Sequence, residues 1–180
     1  ILQIPNISLT REQKKQEQFL FQAINDSKQL TEKKRFELRP IIEELFDFSI
    51  THIYNVEIDE INILNASILG MQQATLSLKI KPDFLLVDGN RFHKFEIPHQ
   101  CFVKGDGRFM NIAAASILAK THRDELMQNL HEKYPEYNWK KNQGYPSLEH
   151  RTAVKKHGLS EFHRKTFQIK NLHQIEISFD

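Results

Sequence analysis

Two short apolar segments that each end in an aspartate constrain the fold of this chain most strongly. The first, FLLVDGN at residues 84–90, reaches Asp88 and then two turn-forming residues. The second, HQCFVKGD at residues 99–106, ends at Asp106. A short apolar run bounded by Gly, Pro or Asn is typical of a buried strand. We therefore predict strands over residues 83–88 and 99–106, with a carboxylate at the end of each.

Helical patterns precede and follow these two strands. Over residues 57–79 apolar side chains recur three and four positions apart, and residues 111–134 form one long helical pattern that contains three consecutive alanines. Thr31 and Ser147 are predicted to cap the starts of two more helices. Because strands alternate with helices, the sequence predicts an α/β domain followed by helices. The remaining predictions are a loop or short helix at 9–22, a strand at 46–54, a loop at 134–147 and a last helix that stops at Gly158.

Composition narrows the class of protein. The chain has 180 residues, of which 39% are hydrophobic and 27% are charged, as expected for one globular domain with a core. It contains no apolar stretch of about 18 residues, so a membrane-spanning helix is not predicted. Cys101 is the only cysteine, which excludes an internal disulfide and a zinc cluster of thiolates. A reducing cytoplasm is the expected location.

Charge is distributed unevenly, although the formal net charge is only +2. Residues 120–170 contain eleven Lys and Arg against six Asp and Glu, whereas residues 41–100 contain four against nine. A basic C-terminal third is typical of a protein that binds an anionic partner such as nucleic acid. The alternative is a solvated helical face, and the charge pattern by itself leaves both open.

The two aspartates are candidate ligands of a divalent metal. If the two predicted strands are neighbours in one sheet, Asp88 and Asp106 emerge at the same edge, where open α/β sheets bind their ligands. Convergent carboxylates repel each other unless a cation lies between them, and oxygen ligands favour Mg²⁺ or Mn²⁺ over zinc. The alternative is two unrelated turn aspartates, because Asp-Gly is a common turn pair.

Tyr145 is a candidate contact for nucleic acid. It lies between a glycine and a proline in a restricted loop, and Lys140 and Lys141 precede it. An exposed aromatic ring beside lysines suits stacking on a sugar or base, whereas the alternative is a tyrosine that closes over the core. His122 and His131 lie nine residues apart on one predicted helix, which is not the spacing of a zinc helix, and we interpret them as packing or surface residues.

Seven segments that occur in order are more specific than any one of them. They are NDSKQLTEKKR, EIDEINILNAS, LLVDGNR, VKGD, AAASILAKTHRD, NQGYPSLEH and HRKTF. Together they closely resemble ribonuclease HII, the bacterial type 2 ribonuclease H, from about Asn25 to Phe167.

The resemblance implies a ribonuclease H-like fold, in which a mixed sheet is flanked by helices and followed by a helical C-terminal extension. Residues 1–134 are then expected to form the α/β core, and residues 135–180 the substrate-reading loop and helical extension of the same domain. The implied activity is endonucleolytic cutting of the RNA strand in RNA–DNA hybrids, and at single ribonucleotides embedded in duplex DNA, as in ribonucleotide excision repair. Two-metal hydrolysis with Mn²⁺ or Mg²⁺ leaves a 3′-hydroxyl and a 5′-phosphate. A sliding clamp is a further expected partner, and a monomer is the expected state.

The resemblance also assigns roles to single residues. It places the third and fourth of four catalytic, metal-binding carboxylates on Asp88 and Asp106. It places a tyrosine that reads the ribonucleotide and its 2′-hydroxyl on Tyr145. The other implied substrate-binding residues are Lys28 as a phosphate contact, and Lys104, Ser116 and Arg164 as supporting residues.

The other two carboxylates mark a departure from the family pattern. The family has an adjacent Asp-Glu pair, within an Asp-Glu-Ala-Gly-Arg-Gly segment on its first strand, and residues 1–24 contain no match to it. Residues 1–2 instead match the end of the family's second strand. We therefore expect an N-terminally incomplete sequence without the first strand, with marginal stability and little or no nuclease activity on its own. Smaller departures are Gln143 in place of a lysine and Ser147 in place of a threonine.

Two alternatives belong to other classes of function. One is a degenerate, non-catalytic module that binds RNA–DNA hybrids and truly begins at Ile1. The other is an unrelated α/β domain that binds metal for phosphotransfer or binds a nucleotide, which requires the seven ordered segments to be coincidence.

Overall fold

The computed structural model describes residues 2–3, 10–25 and 30–166, and the chain divides into two compact units. The first unit comprises Ile1–His52 and Ser67–His122, and the second comprises Ile53–Ala66 and Arg123–Asp180. The helices are α1 (Arg11–Asn25), α2 (Glu32–Leu45), α3 (Asn55–Leu76), α4 (Met110–Lys133), α5 (Trp139–Asn142) and α6 (Leu148–His157). The strands are β1 (Leu2–Gln3), β2 (Asp47–Phe48), β3 (Leu85–Asp88) and β4 (His99–Phe102). Within the described ranges, no helix is both long enough and apolar enough to cross a membrane.

The predicted helix ends agree with the capping contacts. Thr31 Oγ1 accepts a hydrogen bond from the backbone N–H of Lys34, and Ser147 Oγ accepts one from His150. Each bond satisfies an N–H that has no acceptor within the first turn of its helix. At the far end of α6, Gly158 has a φ of 81°, which residues with a Cβ rarely adopt.

The helix predicted at 57–79 is interrupted. Asn62, inside α3, has φ 68° and ψ 165°, a conformation that belongs almost only to glycine. Its side-chain Oδ1 accepts hydrogen bonds from the backbone N–H groups of Leu64 and Asn65. Asn62 therefore ends one helical stretch and caps the next, which a pattern of apolar spacings does not reveal.

The strands form two pairs, both in the first unit. β1 pairs with β2 in antiparallel orientation, and β3 pairs with β4 in parallel orientation with Leu85 opposite His99. The prediction of an α/β class is confirmed, and the condition that the two strands be neighbours is met. The strand predicted over 99–106 is too long, because β4 ends at Phe102 and Asp106 lies in the turn that follows it. Among the described residues, the strand expected over 46–54 is limited to Asp47 and Phe48, which pair with Gln3 and Leu2.

Each unit contains its own apolar core. In the first unit, α1, α2 and α4 share a cluster in which Leu20, Leu38, Ile42 and Ala114 have no accessible surface. Ala114 belongs to the alanine run of α4, and its small side chain lets the neighbouring helices approach closely. A second cluster of the same unit comprises Leu85, Val87 and Ile97. The second unit is built around Leu130, Tyr137, Trp139 and Ala153, so its core is largely aromatic.

Candidate active site

Asp88 lies at the carboxyl end of β3, and its exposure follows from the period of the strand. Successive side chains of a strand point to opposite faces, and here Leu85 and Val87 are buried whereas Leu86 and Asp88 are exposed. The backbone N–H of Gly89 donates to the carbonyl of Phe102, which extends the β3–β4 pairing one residue beyond the aspartate. The strand pairing therefore fixes the backbone on which the carboxylate stands.

The turn that follows β4 binds the Asp88 side chain directly. Asp88 Oδ1 accepts a hydrogen bond of 2.8 Å from the backbone N–H of Gly105. A Cβ added to Gly105 would lie 2.6 Å from Ile112 Cδ1 and 3.4 Å from Asp88 Oδ1. Glycine is thus the residue that permits this close approach between the turn, the strand end and α4.

Asp106 is the next residue, in a short 3-10 turn over Gly105–Gly107. Its side chain is exposed, and its Oδ1 accepts a hydrogen bond of 3.0 Å from Gly107 N. Lys104 precedes the turn in a left-handed conformation and is also exposed. The structure thus brings Asp88, Lys104 and Asp106 to the same end of the β3–β4 pair.

The donor set at this end suits a hard divalent cation. It consists of carboxylate oxygens that are exposed to solvent, and oxygen ligands are those that Mg²⁺ and Mn²⁺ prefer. No group of three or more His, Cys, Asp or Glu residues within the described ranges is arranged to hold a metal. Mg²⁺ is often held by one or two protein carboxylates, with waters and substrate phosphates completing its coordination.

Tyr145 lies in the second unit, in a loop that the backbone constrains tightly. Asn138, Gln143 and Gly144 all have positive φ, and a Cβ on Gly144 would lie 3.2 Å from Met127 Cε. The Tyr145 N–H donates to Asn142 O at 2.8 Å. Tyr145 is 62% exposed, so the alternative of a tyrosine that closes over the core does not hold.

Arg123 holds the Tyr145 loop from the side of α4. Its guanidinium carbon lies 5.2 Å from the centre of the Tyr145 ring, and its Nη2 donates to the Gln143 carbonyl at 2.8 Å. A planar guanidinium can make both contacts at once, because it stacks on a ring while its edge donates hydrogen bonds. Arg123 belongs to the AAASILAKTHRD segment, but no spacing in the sequence marks it as a contact of Tyr145.

A pair of histidines lies behind the same loop. His150 Nδ1 is 2.9 Å from the Tyr145 carbonyl oxygen, and His150 Nε2 is 3.1 Å from His163 Nε2. Burial, and then the electrostatic interaction with His150, lowers the pKa of His163 from 6.5 to about 4. His150 lies three residues before Ala153 on α6, so both face the core. A polar residue at this core-facing position is the one signal for His150 in the sequence.

Arg164 is held by Asp59. The Arg164 Nε donates to Asp59 Oδ1 at 3.0 Å, and the same carboxylate accepts hydrogen bonds from Lys165 N, Thr166 N and Thr166 Oγ1. Hydrogen bonds, above all the one from the Thr166 hydroxyl and then that from Arg164, lower the pKa of Asp59 to about 2. Arg164 therefore belongs to a segment that is fixed in place.

The remaining predicted residues have separate positions. Ser116 is exposed on α4 in the first unit, and Lys28 lies outside the described residues. His122 contacts Arg39 and Glu43, which agrees with its interpretation as a packing or surface residue. The second unit carries the basic residues expected for an anionic partner, and the exposed ones include Lys133, Lys140, Lys141, Lys155 and Lys156.

Residues 7–170 match the family model described as Ribonuclease HII. The chain belongs to the ribonuclease HII family. Among curated relatives, the ribonuclease HII of Christiangramia forsetii is 54% identical over 158 residues, which cover 87% of this chain and 79% of the relative. That of Bacteroides thetaiotaomicron is 50% identical over 163 residues, which cover 89% and 82%.

Solved structures of ribonucleases H2 and HII share the fold. The ribonuclease H2 of Pyrococcus horikoshii superposes with a TM-score of 0.69 at 26% identity, over 86% of this chain and 82% of that one. The ribonuclease HII of Archaeoglobus fulgidus, solved as a complex with PCNA, has a TM-score of 0.65 at 20% identity, over 88% and 86%. The ribonuclease H-like fold class implied by the seven segments is thereby confirmed.

Proposed function

We propose that this chain carries a metal-binding edge and a substrate-reading loop of an endonuclease that cuts the RNA strand of RNA–DNA hybrids and cuts at single ribonucleotides embedded in duplex DNA. The proposed products are a 3′-hydroxyl and a 5′-phosphate. The observation that carries the proposal is the position of Asp88 and Asp106 at one end of the β3–β4 pair, in a chain of the ribonuclease HII family.

Asp88 and Asp106 are the proposed catalytic carboxylates and ligands of Mg²⁺ or Mn²⁺. When bound, such a cation activates water and stabilises the charge that develops on the leaving 3′-oxygen. The contribution of the protein is to hold the ligands ready. The hydrogen bond from Gly105 fixes one oxygen of Asp88, so the carboxylate has less freedom to lose when a ligand binds.

Tyr145 is the proposed reader of the ribonucleotide. Its exposed ring is available to pack against a ribose or base, and its backbone is held on both sides. The exposed lysines of the second unit support attraction to a phosphate backbone. The other proposed substrate contacts are Lys28, Lys104, Ser116 and Arg164.

Metal-dependent cutting of a DNA duplex with one ribonucleotide tests the proposal. In a chain completed with the family's Asp-Glu segment, we expect Asp88→Asn to abolish cutting in Mn²⁺ and to leave duplex binding, measured by fluorescence anisotropy, largely intact. Asp83→Asn is the matched control, because Asp83 is an exposed aspartate just before the same strand. The cut strand should be extended by a DNA polymerase, which requires a 3′-hydroxyl. Normal cutting by Asp88→Asn would refute the metal-site assignment.

We expect little or no cutting by the 180 residues alone, because the resemblance places only two of the four catalytic carboxylates among them. Mn²⁺ affinity is therefore measured beside activity, by electron paramagnetic resonance. Asp88→Asn and Asp106→Asn should each weaken Mn²⁺ binding, whereas Asp83→Asn should not. A chain that binds the ribonucleotide duplex but has no Mn²⁺ affinity would instead be the non-catalytic hybrid-binding module.

We propose a cytoplasmic monomer that acts in ribonucleotide excision repair. The unpaired Cys101 supports a reducing compartment. The Archaeoglobus relative was solved with PCNA, which supports a sliding clamp as a partner of this chain as well. Sedimentation of the chain alone and with the clamp of its own organism tests both statements: a single species at monomer mass, which moves faster when the clamp is added, is expected.

A further inference from the structure

A network of partly buried hydrogen bonds ends at the backbone of the exposed Tyr145. His150 Nδ1 contacts the Tyr145 carbonyl oxygen at 2.9 Å, and His150 Nε2 faces His163 Nε2 at 3.1 Å. His163 Nδ1 lies 3.0 Å from Ser160 N and 2.8 Å from Ser160 Oγ. His150 is 7% exposed and Tyr145 is 62% exposed, so these hydrogen bonds link the interior of the second unit to its surface.

The groups at the two ends of this hydrogen-bond network determine which ring nitrogen of each histidine carries a hydrogen. A carbonyl oxygen can only accept, so His150 carries its hydrogen on Nδ1 and accepts at Nε2. The Ser160 backbone N–H can only donate, so His163 accepts at Nδ1 and carries its hydrogen on Nε2. The His163 Nε2–H then donates to His150 Nε2. Two neutral imidazoles therefore give one donor direction from Ser160 through both histidines to the Tyr145 carbonyl.

Neighbouring aromatic and polar side chains hold His150 and His163 in place. The Trp139 indole N–H also donates to His150 Nε2 at 3.1 Å, and the Tyr137 ring lies 4.6 Å from the ring of His163. The side-chain amide of Asn55 donates to the carbonyl of His163 at 2.9 Å, which ties the His163 backbone down as well. A proton added to His150 Nε2 would face two donors, so the neutral pair is the state that this packing favours.

We propose that His150 and His163 are positioning residues for Tyr145: the neutral pair fixes the backbone of the tyrosine and so orients the ring that meets the ribonucleotide. The inference rests on the proposed function, because that function gives Tyr145 its reading role. Neither histidine needs to touch the substrate. What they supply is rigidity of the loop, which lowers the cost of ordering the ring on binding.

The tautomers are the first test and need no substitution. Long-range ¹H–¹⁵N spectra of the ¹⁵N-histidine-labelled chain at pH 7.5 distinguish a hydrogen on Nδ1 from one on Nε2. We expect His150 as the Nδ1–H form and His163 as the Nε2–H form. The opposite tautomer at His150 would leave the Tyr145 carbonyl without this donor and would overturn the proposal.

Binding of the full chain to two duplexes is the second test. One duplex contains a single ribonucleotide and the other is all DNA, both in Ca²⁺ so that cutting does not interfere. We expect His150→Leu to lower the ratio of the two affinities about fivefold, since it removes one hydrogen bond to the loop. His150→Asn should retain most of the ratio, because the Asn amide nitrogen occupies the place of Nδ1. His157→Leu, on the exposed part of α6, is the matched control.

Variants of Tyr145 separate this proposal from the one on which it rests. If Tyr145→Ala leaves the affinity ratio unchanged, the reading role fails. If Tyr145→Ala removes the preference but a folded His150→Leu does not, the positioning role alone fails. In the Tyr145→Ala background, His150→Leu should have no further effect on the ratio; an additional loss would show that His150 acts by another route. If His150→Leu does not fold, the affinity ratio of His150→Asn and the histidine tautomers of the natural chain test the proposal instead.

Discussion

The backbone N–H of Gly105 donates a 2.8 Å hydrogen bond to Oδ1 of Asp88, so the turn after β4 and the end of β3 hold each other. The donor precedes Asp106 in the chain, and both candidate metal ligands therefore depend on one backbone position. The space around that position is limited by Ile112 on α4, whose Cδ1 lies where a side chain on residue 105 would begin.

Gly105→Ala should lower the free energy of unfolding by about 1–3 kcal/mol, because the new methyl group overpacks a buried site. It should weaken Mn²⁺ binding as well, since the Asp88 carboxylate must move. Urea unfolding and Mn²⁺ titration measure the two effects. Gly107→Ala is the control, because nothing lies within 4 Å of a Cβ there.

Ile112→Val should partly rescue Gly105→Ala, because it removes the Cδ1 atom that the new methyl group meets. Valine alone costs about 0.5–1.5 kcal/mol at a buried isoleucine. The double variant should therefore be more stable than the sum of the single changes predicts. Strict additivity in urea unfolding would show that the clash with Ile112 is not the cause.

Arg123→Lys should reduce the preference for a ribonucleotide duplex about two- to fivefold, as expected for the loss of an exposed cation–π contact of about 0.5–1 kcal/mol. Lysine keeps the charge but cannot stack on Tyr145 and donate to the Gln143 carbonyl at the same time. Affinities for the ribonucleotide and all-DNA duplexes measure the change. Arg151→Lys, an equal substitution on α6, should leave the preference unaltered.

Asp59→Asn should destabilise the second unit at neutral pH, and the deficit should shrink in acid. The Thr166 hydroxyl, followed by Arg164, lowers the pKa of Asp59 from 3.8 to about 2 in the folded chain. The stabilisation is therefore complete above about pH 4 and is lost as pH falls toward 2. Melting temperatures of both chains between pH 7 and 2 test this, and parallel curves would contradict it.

His163 should make the folded chain sensitive to weak acid. Burial, and then His150, lowers the pKa of His163 from 6.5 to about 4, so the unfolded state binds the proton more readily. The contribution to stability is complete above pH 6.5 and is lost as pH falls to 4. The melting temperature of the natural chain should fall across this window more steeply than that of His163→Gln. His157→Gln should behave like the natural chain.

Local pattern was sufficient to predict the parts of the fold that are local. The strand ends at Asp88, the long helix α4 and the caps at Thr31 and Ser147 each follow from residues within a few positions of one another. The α/β class followed from how these elements alternate, whereas the pairing of β3 with β4 was a condition that the structure meets.

Contacts between distant residues were not predicted, since local spacing says little about them. Asp59 and Arg164 are 105 positions apart, and their ion pair depends on how the chain returns to α3. The contact between Arg123 and Tyr145 likewise requires the positive φ values of Gln143 and Gly144, which turn the loop toward α4. The segment at 46–54 has the right residue types for a strand, and in the part of the chain that the structure describes Asp47 and Phe48 form its strand pairing.

The break at Asn62 also has a consequence for how α3 tolerates change. In a continuous helix each residue is rotated by about 100° from the one before it. One inserted residue therefore rotates all later side chains by about 100° around the helix axis. At Asn62 the chain leaves the helical conformation and begins again, and Leu64 is exposed whereas Ile68 is buried. The direction in which the side chains after Asn62 point is therefore determined by which of them are buried, and not by the helix before Asn62. A residue added just before Asn62 should leave the facing of Ile68 as it is.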